Sequence, residues 1–125
     1  MSCSKVNIDN MELIENEYQD QHGNIWCALK LIEHSKKYKP FKLPLIGIDL
    51  TRLPWDVDNI STFIHHAKRI KKTSLKHPII LDDEGMITDG WHRVAKAILK
   101  GETHIKAIRL ETMPTPDRTE KSNEE

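Results

Sequence analysis

Long apolar runs, cysteine, aromatic residues and net charge are all scarce in this 125-residue chain. No run of apolar residues approaches the roughly 20 needed to cross a bilayer, so neither a spanning helix nor a membrane partner is expected. The opening Met1-Ser2-Cys3-Ser4-Lys5 lacks the apolar segment of a secretion signal. The two cysteines, Cys3 and Cys27, have no metal-ligand spacing. Cys3 is expected on a mobile end and Cys27 inside a helix, so no disulfide is expected and the inferred location is a reducing cytoplasm. A formal net charge of +0 removes the global basic field of a dedicated duplex-DNA binder. Hydrophobic residues at 38% and charged residues at 30% fit one globular domain with a modest core.

What the chain does have is concentrated between Ile79 and Gly101. Ile79-Ile80-Leu81 reads as a short buried strand. Asp82-Asp83-Glu84-Gly85 is turn chemistry, and Met86-Ile87-Thr88 reads as a second strand folding back as a hairpin. After Asp89-Gly90 the pattern becomes helical, with Val94, Ala95, Ala97, Ile98 and Leu99 apolar. Gly101 is the C-terminal stop, and Lys96 and Lys100 lie where the helix dipole favours cations. Strand, turn, strand, glycine corner and helix together deliver backbone N–H groups, a histidine and an arginine to the positive end of a helix, a site suited to an anion.

Elsewhere the signals are simpler. In residues 1–22, Met11, Leu13, Ile14 and Tyr18 suit a short helix or a packed arm. Asn24 is a plausible N-cap for a helix over 25–38, with Ile25, Ala28, Leu29 and Ile32 on one face and Pro40 as its stop. Leu43–Leu50 reads as a strand near a sheet edge because of Pro44. Asp56 or Asp58 is expected to cap the next helix, which carries Ile60, Phe63, Ile64, Ala67 and Ile70 on its apolar side. Its other side holds Ser61, Thr62, His65, His66, Lys68, Arg69, Lys71 and Lys72, a pattern suited to solvent. A last strand is expected over Ile105–Leu110, and 113–125 reads as a disordered tail. His65, His66, His77, His92 and His104 match no zinc signature.

The segment from Pro78 through Asp89-Gly90-Trp91-His92-Arg93-Val94-Ala95 to Ile105-Lys106-Ala107 resembles the ParB/sulfiredoxin superfamily. The upstream Ile48-Asp49-Leu50, Leu53-Pro54-Trp55 and the helix from about Asp58 are similar to the segment that precedes that motif. The resemblance covers about Leu43 to Glu111. It implies a compact α/β (α+β) domain over 41–112, a small mixed sheet with packed helices and a glycine corner at a helix N-terminus, preceded by an extension over 1–40. Its members bind a nucleoside triphosphate at this corner, and its branches hydrolyse CTP, phosphorylate free serine, or use ATP to activate an oxidised cysteine. Two departures narrow the choice. Trp91 stands where the sulfiredoxin branch has its reactive cysteine. His92 stands where the DNA-partition branch has arginine, and no helical DNA-binding domain follows. The Asp-Gly-Xaa-His-Arg spelling is closest to the free-serine-kinase-like branch.

By that resemblance Gly90, Trp91, His92 and Arg93 contact phosphates, and Thr62 and His66 on the preceding helix line the pocket. Arginine grips phosphate oxygens bidentately, and histidine donates whether neutral or charged. Asp89 either holds Mg²⁺ or caps the helix with its own side chain. Asp56 or Asp58 is the candidate acidic residue of the catalytic set. Phosphoryl transfer needs little more than neutralised charge, a metal and a positioned acceptor. The expected activity is therefore hydrolysis of ATP or another triphosphate, or transfer of its phosphoryl group to a small molecule. The alternative is a non-catalytic regulatory or interaction module of a plasmid or phage. Lys68, Arg69, Lys71, Lys72 and Lys76 would serve a DNA backbone or an acidic protein partner, although no aromatic residue is interleaved for base stacking.

Overall fold

The computed structural model describes residues 17–120. Among them it has a mixed α+β architecture with three α-helices and two sheets. In chain order these are β1 (Glu17–Gln19), β2 (Asn24–Cys27), α1 (Ala28–Ser35), β3 (Phe41–Pro44), a short 3-10 turn (Leu45–Gly47) and α2 (Ile60–Lys72). β4 (Ile79–Leu81), β5 (Ile87–Asp89), α3 (Trp91–Leu99), β6 (His104–Arg109) and β7 (Arg118–Thr119) follow. They form two compact units, each drawn from separated stretches of chain.

The first unit takes residues 17–38, 80–89 and 109–120. β2 runs through the middle of a three-stranded antiparallel sheet, with β1 on one side and β7 on the other. Ile25, Trp26 and Cys27 are buried there. Residues 25–27 therefore lie in a strand, not in the expected helix, and Asn24 opens that strand instead of capping a helix. The helix is shorter, Ala28–Ser35, and buries Leu31 and Ser35 one turn apart. The β-forming Ile25 and Trp26 gain a partner strand on each side, which overrides the weak local helical pattern. Tyr18 belongs to β1. Met11, Leu13 and Ile14 lie outside the described residues, as does Cys3. Cys27 is disulfide-bonded, contrary to expectation, with its partner outside the described residues, so cysteine usage no longer supports a reducing compartment.

The expected disordered tail is folded as far as residue 120. Trp26 Nε1 donates to the Pro114 carbonyl at 2.8 Å, and the Asp117 carboxylate accepts from Cys27 N at 2.7 Å and Lys30 Nζ at 3.2 Å. Arg118 grips Glu17 through two bonds of 2.9 Å. Polar composition suggests disorder, but here the Pro114 carbonyl, Asp117 and Arg118 answer specific groups on β1, β2 and α1. The same unit holds the β4–β5 hairpin, with Ile80 opposite Asp89 and Leu81 opposite Ile87. Its turn is organised by Asp82, which is 2% exposed. The Asp82 carboxylate accepts from the backbone of Glu84 and Met86 and from the Tyr18 hydroxyl, at 2.8–2.9 Å.

The second unit takes residues Lys39–Ile79 and Gly90–Ile108. β3 pairs antiparallel with β6, Phe41 opposite Ala107 and Pro44 opposite His104. The expected strand over Leu43–Leu50 stops at Pro44, after which the chain turns through Leu45–Gly47. Ile79, Val94, Ala97, Ile105, Ala107 and Ile108 are buried. α2 is capped by Asn59, whose Oδ1 accepts from Thr62 N at 2.8 Å, and not by Asp56 or Asp58. Its orientation is rotated from the expected one, with Ala67 and Ile70 half-buried. His66 is buried, whereas Ile60, Phe63 and Ile64 are 74%, 55% and 42% exposed. His66 packs inward because it finds partners in α3 and on the loop before α2, while Ser61, Lys68, Lys71 and Lys72 of the side read as solvated stay exposed.

Candidate functional site

α3 begins at a sharp corner. Gly90 adopts φ +114°, a left-handed conformation that side chains rarely tolerate. A Cβ added there would stand 2.5 Å from Ile79 Cγ2 and 3.0 Å from Arg93 Nη2. The corner thus needs glycine for both dihedral angle and space, and the Arg93 guanidinium is folded back over it. Gly90 is the N-cap residue of α3, and no acidic residue occupies the first turn of the helix. Asp89 ends β5 and is half-buried. The Gly90 carbonyl accepts from the backbone of Arg93 at 2.9 Å and of Val94 at 3.0 Å. The N–H groups of Trp91 and His92 precede the first intrahelical acceptor and face out of the helix end.

Beside the corner lies a layered ring cluster within the second unit. His92 on α3 and His66 on α2 share a hydrogen bond, His66 Nδ1 to His92 Nε2, at 2.9 Å. Trp55 stacks on both, with ring centroids 4.4 Å from His66 and 4.3 Å from His92 and interplanar angles of 13°. His65 meets His66 edge-on at 4.9 Å. Burial lowers the His92 pKa to about 3, with Arg69, His66, His65 and Arg93 adding repulsion. Burial also lowers that of His66, followed by His65 and Arg69. Both rings are therefore neutral near pH 7, and one donates to the other.

The second unit brings together Gly90, Trp91, His92 and Arg93 in one helical turn. Thr62 lies on α2 one turn before His66, half-buried, with its backbone N–H committed to Asn59. Asp56 and Asp58 are exposed on the loop before α2, and Asp58 accepts from Asn59 Nδ2 at 2.9 Å. Among the described residues no group of three or more His, Cys, Asp or Glu is arranged to hold a metal ion. Lys68, Lys71, Lys72 and Lys76 are exposed, whereas Arg69 is half-buried and acts electrostatically on His92. A groove lined by Phe41, Lys42, Thr103, His104 and Ile105 follows the β3–β6 pair and includes none of the expected site residues.

Trp55 is the member that sequence reasoning missed. Its one signal in the sequence is its neighbourhood, Leu53-Pro54-Trp55 before a helix carrying two histidines. No helix among the described residues is long and apolar enough to cross a membrane. Comparison of the chain with protein-family models, curated proteins and solved structures found no match.

Proposed function

We propose that this chain is a nucleotide-binding protein of the ParB/sulfiredoxin type, holding the phosphates of a nucleoside triphosphate at the N-terminus of α3. The observation that supports the reading is the Gly90 corner, a left-handed glycine at the helix start closely approached by the Arg93 guanidinium. Outward N–H groups, the positive helix end and an arginine fork converge there, the combination that phosphate oxygens require. Trp91 and His92 contribute backbone donors. The His92 ring braces α3 against His66 and Trp55, which fixes the helix start that carries those donors. Hydrolysis, or phosphoryl transfer to a small molecule, is the activity this reading extends to. Mg²⁺ would then be bound chiefly by the phosphates, as Mg²⁺ usually is in such sites.

A second reading, triphosphate binding without turnover, is favoured by one observation. His92 is buried, neutral and already hydrogen-bonded, which suits a brace better than a group exchanging protons with substrate.

Thermal unfolding with ATP, ADP, CTP and GTP, with and without Mg²⁺, tests the binding step. A ligand at 100 times its dissociation constant adds about 2.7 kcal/mol. Stabilisation by one triphosphate in the wild type, lost in a folded Arg93→Ala variant, is the expected result. No stabilisation by any nucleotide, or an equal response in the variant, refutes the assignment. Phosphate release measured on the bound triphosphate then separates turnover from binding alone.

A further inference from the structure

The outward face of α2 remains unaccounted for by phosphate binding. Ile60, Phe63, Ile64, Ala67 and Lys71 are spaced by three and four residues and share one side of the helix. Ile60, Phe63 and Ile64 are exposed by 74%, 55% and 42%, and Lys71 is exposed. An apolar stripe of this kind on water is costly to maintain and marks an interaction surface. The opposite side of α2 is spent on His66 and its partners, so the helix is anchored and its apolar side points away from the unit.

We infer that this face binds a second copy of the chain, α2 against α2 in antiparallel register. Charge argues for that occupant. α2 has no acidic residue in its first turn and three basic residues, Arg69, Lys71 and Lys72, in its last. Asp58, exposed, lies just before its start. Parallel packing sets the basic ends of two copies side by side. Antiparallel packing about a twofold axis between Ile64 and Ala67 sets Ile64 against Ala67 of the other copy. It also runs Lys71 alongside the other Ile60, within reach of Asp58. The patch is thus self-complementary, as a twofold interface requires. A formal net charge of +0 leaves no long-range repulsion between copies. A membrane surface fits less well, since the exposed lysines gather at one end of the helix instead of flanking the apolar stripe along its length. The helix has 13 residues, about 20 Å of length. Such a seam is smaller than the ~800 Å² per partner of a standard interface, so the dimer is concentration-dependent.

Sedimentation equilibrium of the full chain from about 1 to 500 μM is the test. The wild type is expected to pass from monomer to dimer across that range. Ile64→Glu sets two carboxylates near the axis and should weaken association at least tenfold. Phe63→Gln should weaken it several-fold while perturbing the monomer less, so a folding defect in one variant leaves the other informative; circular dichroism checks both. Lys71→Glu should weaken association, and adding Asp58→Lys should restore it. A wild type monomeric to 500 μM, a dimer indifferent to both Ile64→Glu and Phe63→Gln, or failure of the charge exchange to restore association overturns the proposal. A monomer that instead sediments with anionic phospholipid vesicles through Ile64 overturns it in favour of a lipid surface.

Discussion

The two units each bury a polar centre, and they do so in opposite ways. In the first, Asp82 is a carboxyl group surrounded by donors: two backbone N–H groups of its own turn and the Tyr18 hydroxyl. The Tyr18 pKa is raised, chiefly by burial and then by its bond to Asp82, which keeps the hydroxyl a donor. In the second, His66 and His92 are buried against an aromatic ring and beside cations, which oppose an added proton. A turn supplies N–H groups to an acid without cost, because those groups have no other acceptor. Two facing helices bring Arg69 and a second histidine to a buried ring, so the rings stay neutral and share a hydrogen bond. The teaching is that local backbone, more than burial alone, decides which protonation state a core accepts.

Substitution at the glycines sharpens the contrast most. Gly85, in the Asp82 turn, has φ +85° but nothing within 4 Å of an added Cβ, whereas Gly90 would meet Ile79 at 2.5 Å. Gly90→Ala should cost more than about 3 kcal/mol and Gly85→Ala about 1 kcal/mol, the dihedral penalty alone. Urea unfolding of the two variants checks this, and similar costs would mean that the Gly90 corner is not close-packed. Next comes Asp82→Ala, which strands three donors in a buried site and should cost about 3 kcal/mol. Asp82→Asn keeps an acceptor for the turn and should cost clearly less by the same measurement.

The pH response is the gentlest probe. The His92 pKa falls from 6.5 to about 3 on folding. Between those values the unfolded ring binds a proton that the folded ring refuses, so stability is complete above pH 6.5 and declines as pH falls toward 3. The slope is at most about 1.4 kcal/mol per pH unit. The wild type should therefore lose about 1.6 kcal/mol between pH 6.5 and 5, and His92→Gln markedly less. Equal losses measured by urea titration at the two pH values would remove His92 as the acid-sensitive group.

What was legible in the sequence is the stretch whose determinants are local. Ile79–Leu81, the Asp82–Gly85 turn, the Gly90 corner, α3 and the Gly101 stop fall where turn residues and apolar spacing put them. What was not legible depends on partners far along the chain. Ile25 and Trp26 carry a helix-compatible spacing until β1 and β7 flank them. Asp117 and Arg118 look like solvated tail until Cys27, Lys30 and Glu17 meet them. α2 is amphipathic whichever way it turns; a buried histidine pair and Trp55 settled its orientation, and helical periodicity carries no information about a ring 11 residues upstream of His66. Of the candidate site, the corner could be read from five residues, whereas the brace behind it needed two helices and a loop in register.

The pairing of β2 with β7 has a consequence in time. The side chains of Asn24 and Thr119 meet across 95 positions, and a ribosome adds roughly 5–20 residues per second. The β7-facing edge of β2 therefore stays open for on the order of 5–20 s of synthesis, with Ile25 and Trp26 beside it. Open strand edges recruit other strands, so the nascent chain passes through an interval of vulnerability that the finished fold conceals. A message truncated shortly after Leu110 would prolong that interval indefinitely.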